Sequence, residues 1–209
     1  MAYFLATNVL SDTPPVLTPC ICSSRSQYIQ LDNIDATQPY IIESKIRLFG
    51  NNPGSTGDDY LGNYADTSYG NSWRFYNNGG SYSSSGGWSR FQDSHNRVDK
   101  NPCADIWFDL QEGPTIFKLG GEGNTYSFPT YTNADYPLCL FGLPDRPNNR
   151  SACALARTKI TLDDVLVADL VPVNAYNEDR DAKEGGFYDI VNDKYYFSNT
   201  STPLVYSEL

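Results

Sequence analysis

The sequence predicts an all-β chain folded as two packed antiparallel sheets around one apolar core, and three observations predict it. Apolar residues recur in strand-length groups, several of them in strict alternation with polar ones. The 16 glycines and 13 prolines are spread along the chain instead of pooled in one linker, as suits many short strands joined by tight loops. No window of a dozen residues carries apolar residues at the 3.6-residue period of a helix. A string of short strands must manage its edges, and two antiparallel sheets facing each other across a shared core is the simplest solution. Internal repeats are absent, which argues against propellers and solenoids. A length of 209 residues is ample for one such domain.

In chain order, residues 1–19 read as an N-terminal arm, a short apolar stretch followed by Ser11 to Pro15, able to cover a sheet edge or reach a neighbouring subunit. Residues 20–209 then form the single domain. Strand signals begin at Tyr28, and Tyr40 to Phe49 is the cleanest. Ile42, Ser44, Ile46 and Leu48 share one face and Glu43, Lys45 and Arg47 the other. Between Asn51 and Gly87 the chain is crowded with Gly, Asn, Ser and Asp, with short strands expected at 60–64, 72–76 and, just beyond, 88–92. Asp105 to Leu110 alternates again, with Ile106, Phe108 and Leu110 opposite Asp105, Trp107 and Asp109. Thr115 to Leu119 pairs with it across Gln111 to Pro114. Leu138 to Leu143 reads as a fully apolar strand and Ala152 to Leu162 as one alternating strand. Asp163-Asp164 turns the chain into Val165 to Val173, where Pro172 is expected to end the strand. Phe187 to Val191 and Lys194 to Phe197 follow, joined by a turn at Asn192-Asp193, with Gly185-Gly186 permitting close backbone packing.

Composition narrows the function classes. Net charge is −10, and 19 of the 25 acids are Asp, the acid that turns favour. Nucleic acid is a poor partner for such a surface, because neutralising phosphate needs clustered Lys and Arg. Solubility, or docking onto a basic surface, accounts for the charge. The five cysteines, Cys20, Cys22, Cys103, Cys139 and Cys153, are odd in number. Met1 to Leu5 lacks a basic leader region, so synthesis in the cytoplasm with reduced thiols is expected. Cys20 and Cys22 resemble half of a zinc site, but no second pair follows and the chain has one His, so no structural metal is expected. Two glycosylation-type triplets, at Asn149 and Asn199, carry little weight without secretion. No segment is apolar enough to span a membrane as a helix.

The chemistry of catalysis is thin. Glycoside hydrolysis needs two carboxylates facing a cleft, and the six Glu are scattered, so a glycosidase here would have to use Asp for both roles. His95, the one histidine, lies beside Ser94 and near Asp93, but sequence neighbours on a strand point apart, and a surface-loop His is the simpler reading. Gly50 to Gly57 lacks the lysine of a phosphate-binding loop. Asp58, Asp59, Asp66, Asp163 and Asp164 supply hard oxygen ligands for Ca²⁺, yet no spaced acidic loop organises them, and turn carboxylates explain them without an ion. No cofactor is expected. The stretch 60–96 suggests binding: Trp73, Tyr76, Tyr82 and Trp88 are candidate platforms for sugar C–H faces, with Asp58, Asp59 and Asn77 as hydroxyl partners. The competing reading is that two or three of these rings are core.

The C-terminal third reads Ala156 to Ile160, the apolar run Leu166 to Val173, and Gly185 to Phe197. This pattern resembles the concanavalin A-like (laminin-G-like) jelly-roll proteins of tailed bacteriophages and prophages of gut bacteria. There an "LVRDFVP"-like strand leads to a "GLYDLVNNKFY"-like hairpin. Gln27 to Leu31, Tyr40 to Phe49 and Leu138 to Phe141 fit the same plan, so the resemblance spans roughly residues 27–207. One departure is Ala168, where family members often carry Arg. The resemblance implies an all-β, two-sheet jelly-roll sandwich and a non-catalytic virion surface protein, a capsid decoration, head fibre or tail component. Other virion proteins are then the expected partners, with residues 1–19 as the arm able to reach them and a homo-oligomer or multi-copy assembly expected, while the 60–96 stretch adds adhesion to host or mucosal glycans. A free lectin-like module is the alternative, and a glycoside hydrolase the remote one.

Overall fold

A computed structural model describes residues 15–24, 26–34, 40–48, 58–66, 69–77, 86–90, 96–97, 107–113, 116–125, 137–142, 144 and 152–206. Among these the chain is almost entirely strand. The first half contributes β1 (Val16–Leu17), β2 (Ile21–Cys22), β3 (Ile29–Leu31), β4 (Tyr40–Leu48), β5 (Asp58–Asp66), β6 (Tyr69–Asn77), β7 (Gly86–Arg90) and β8 (Asn96–Arg97). The second half contributes β9 (Trp107–Gly113), β10 (Ile116–Leu119), β11 (Glu122–Thr125), β12 (Leu138–Leu140), β13 (Cys153–Leu155) and β14 (Thr158–Leu162). After these come β15 (Val165–Asn177), β16 (Ala182–Asp189), β17 (Lys194–Tyr196) and β18 (Val205–Tyr206). One 3-10 turn, Glu178–Arg180, joins β15 to β16.

The strands form two sheets in which every pair of strands is antiparallel. The larger runs β11-β10-β9-β4-β14-β15-β16-β17, with β1 on β15, β13 on both β4 and β2, and β18 on β2; the smaller runs β3-β12-β5-β6-β7-β8. The chain is therefore all-β, as expected. One apolar cluster draws on both sheets: Ile42, Ile46, Ile160, Leu170 and Phe187 from the larger, Ile29, Leu31, Leu138 and Leu140 from the smaller. The rings of Phe141 and Phe187 stack across it at 6.4 Å.

Period-two patterning explains most of the placements. Ile42 and Ile46 are buried while Glu43 and Lys45 are exposed; Phe108 and Leu110 are buried while Trp107 and Asp109 are exposed. Asp163 and Asp164 both take left-handed backbone, φ 45° and 63°, and join β14 to β15 in a two-residue turn whose twist suits a hairpin. A Cβ on Gly186 would lie 2.7 Å from the Phe197 ring and from the Tyr196 carbonyl, so this glycine is required by close approach.

Four expectations need correction. Leu138 to Leu143 does not run through: the strand stops at Leu140, because Phe141 (φ 67°) and Gly142 (φ 141°) turn the chain and swing the Phe141 ring into the core. Ala152 to Leu162 is two strands with a break at Ala156-Arg157, which lets Cys153, Ala154 and Leu155 all be buried. Pro172 does not end its strand, since β15 continues to Asn177. The Pro172 carbonyl accepts from the Thr18 amide just after β1, so its missing N–H lies on the edge that β14 has already left. Finally, β16 begins at Ala182 and ends at Asp189, leaving Ile190 and Val191 exposed in the turn before β17.

Candidate functional site

Backbone register locates six of the seven residues singled out as glycan contacts. Asp58 and Asp59 lie on β5, Trp73, Tyr76 and Asn77 on β6, and Trp88 on β7; Tyr82 lies outside the described residues. Asp58 pairs with Phe75, Phe75 with Trp88, and Leu61 with both Trp73 and Leu140. Cross-strand partners share a face, and Leu140 belongs to the apolar cluster. Asp58, Trp73, Asn77 and Trp88 therefore register on the core-side face of the smaller sheet. Asp59, opposite Arg74, and Tyr76, opposite Gly87, register on the other face. The set is thus divided between two faces of one sheet. His95 and Cys103 lie outside the described residues. Asp163 and Asp164 are the exposed tip of a hairpin, and no group of three or more potential metal ligands occurs among the described residues.

The larger sheet presents an arrangement that sequence reading missed. Phe187 and Tyr196 pair on the core face, so Tyr188, Tyr195 and Phe197 occupy the outward face. The rings of Tyr188 and Tyr195 have centroids 4.9 Å apart, and those of Tyr195 and Phe197 6.1 Å apart with planes within 8° of parallel. All three are only half-buried. Tyr188 donates a 2.7 Å hydrogen bond to Asp193, which pushes its hydroxyl up to about 12, with burial and the Asp193 charge adding to the effect. Gly186 makes room for Phe197.

Next to this strip the outward face turns polar. Tyr188 pairs with Val171, and two residues along β15 stands Asp169. The Arg157 guanidinium meets Asp169 with two parallel hydrogen bonds, Nε to Oδ1 at 2.7 Å and a terminal nitrogen to Oδ2 at 2.5 Å. The Arg157 side chain is 55% exposed, so its remaining donors face solvent. Register continues the row from Asp169 to Lys159, Glu43 and Gln111, and Gln111 donates to Glu43 at 3.2 Å.

Other polar clusters are architectural. Buried Asp189 accepts from the Asp169 and Val191 amides at 3.0 Å and from the Asn192 side chain at 2.6 Å, fixing the β16–β17 turn. Glu184 accepts from Asn177 and, at 2.8 Å, from Arg180, which also donates to the carbonyls of Ser198 and Thr200. Cys20, Cys139 and Cys153 are buried and Cys22 is half-buried. Burial, then the neighbouring Cys20, pushes Cys22 up to about 12, the reverse of a reactive or metal-binding thiolate.

No protein-family model matches the chain, and no curated protein and no solved structure matches it.

Proposed function

We propose that the two sheets pack as a jelly-roll sandwich of the concanavalin A-like type, and that the protein is a non-catalytic surface component of a bacteriophage particle. The observation that carries this reading is what the Leu166–Phe197 motif does in the fold. Within it Asp169 holds Arg157, Asp189 and Asn192 fix the turn, and Asp193 holds Tyr188. A motif that specifies a sheet and its turns suits a displayed scaffold better than an enzyme, whose chemistry needs converging acids and bases. Residues 1–19 are the candidate contact with other virion proteins, since Val16 and Leu17 already add a short strand to the edge of β15. The particle carries the protein in many copies and adheres to host or mucosal glycans. On the smaller sheet, Asp59 and Tyr76 are the residues registered away from the core for that contact.

Mass spectrometry of purified particles tests the assignment. Stoichiometric recovery of the chain is expected, and its absence from particles whose genome encodes it would overturn the virion reading. A free lectin-like module would then hold, provided glycan binding survives.

A further inference from the structure

We propose that the outward face of the larger sheet is a carbohydrate-binding surface, on which Tyr188, Tyr195 and Phe197 receive the C–H face of a pyranose and the adjoining polar row takes its hydroxyls. It is a different surface from the one on β5 to β7, and it rests on the glycan-adhesion reading only for its ligand class.

Two features select a sugar. The first is the juxtaposition of half-buried rings with hydrogen-bonding side chains on one flat face. A pyranose has the same division, an apolar patch of C–H bonds and a rim of hydroxyls that both donate and accept. The second is the order along the sheet. Tyr195, Tyr188 and Val171 stand in register across three strands, and the Arg157–Asp169 pair and Lys159 follow on the same face. A chain of sugars crossing the strands would meet rings first and then charged and amide groups. An apolar protein surface laid here would desolvate the exposed Lys159 and the exposed part of Arg157, which is costly. The net charge of −10 selects neutral glycans over polyanionic ones. The rings are also preorganised: Tyr188 is held by Asp193, and Phe197 is seated over Gly186, so little freedom is lost on binding.

The test is affinity electrophoresis of the full chain through gels containing laminarin, xylan, galactomannan or glycogen, one at a time. At least one polymer is expected to retard the protein. Tyr195→Ala and Phe197→Leu should each weaken that retardation about ten-fold, the size of one lost apolar contact. Tyr195→Trp, which keeps a ring in place, should retain it. Tyr76→Ala on the smaller sheet is the comparison, because it probes the other candidate surface. Retardation lost in Tyr76→Ala but kept in Tyr195→Ala would overturn this proposal and leave the β5–β7 reading standing. Equal loss in Tyr195→Ala and Tyr195→Trp would reduce the ring to a structural part and overturn it too, as would no retardation by any polymer.

Discussion

Arg180 closes the C-terminal segment onto the larger sheet, and replacing it with Ala should be among the more damaging single changes at a partly exposed position. Its side chain is 22% exposed, while the Glu184 side chain it faces is 3% exposed. One nitrogen donates to Glu184 at 2.8 Å, and another donates to the carbonyls of Ser198, at 2.6 Å, and Thr200. Removing one member of a buried ion pair leaves an uncompensated charge, at a cost of about 3–5 kcal/mol. Asn177 still donates to the other carboxylate oxygen, and water can enter where Arg180 was, so the lower end, about 3 kcal/mol, is expected. That corresponds to a fall in melting temperature of roughly 6–12 °C for a chain of this size. Urea denaturation of wild type, Arg180→Ala, Glu184→Gln and the double variant gives the coupling directly. The double variant should recover at least about 1 kcal/mol relative to Arg180→Ala, because a neutral amide is cheaper to bury than a lone carboxylate. A single-variant loss below about 0.5 kcal/mol, the range of an ordinary surface change, would refute the reasoning.

Three further outcomes follow from the same structure. Phe187→Ala, at a fully buried ring stacked on Phe141, should cost about 3–5 kcal/mol by calorimetry, whereas Val165→Ala at an exposed site should cost less than about 0.5. In an alkaline titration followed by phenolate absorbance, Tyr196 should ionise near 12 instead of 10.0, raised by burial and then by Asp189 and Asp32. A folded-state value above the unfolded one means that its stability contribution is whole below pH 10 and lost as pH rises through about 12; Tyr196→Phe should remove that part of the alkaline decline. Cys22 should react with a disulfide reagent at least about ten-fold more slowly in the folded protein than in urea, read by peptide mapping; equal rates would contradict a half-buried, protonated thiol.

What was legible in the sequence was whatever depends on local pattern. Strict alternation gave the faces of β4 and β9, and two adjacent aspartates gave a turn that needs left-handed backbone twice. What tertiary context decides was not legible. The Ala152–Leu162 run alternates well enough to read as one strand, and only the need of β4 to pair with both β13 and β14 breaks it at Arg157. Pro172 reads as a stop unless one knows that its edge of β15 faces β1. The aromatic strip was hidden because Lys194 to Phe197 carries three consecutive rings, and nothing local says that Tyr196 alone goes inward. The signal available was Gly186, a residue with no side chain opposite the position that Phe197 needs. Conversely, register divides the ring-rich 60–96 stretch, with Trp73 and Trp88 on one face of the smaller sheet and Tyr76 on the other.

The pairing of β18 with β2 has a kinetic meaning. Val205 sits opposite Cys22, so this ladder closes a loop of almost the entire chain. Contacts of such long sequence separation incur their closure entropy before they are rewarded, and they slow folding. During synthesis β2 waits with an unpaired edge until Val205 and Tyr206 leave the ribosome. A nascent chain paused short of Tyr206 therefore presents an open strand, and Val205–Tyr206 act as the latch that ends its exposure to aggregation.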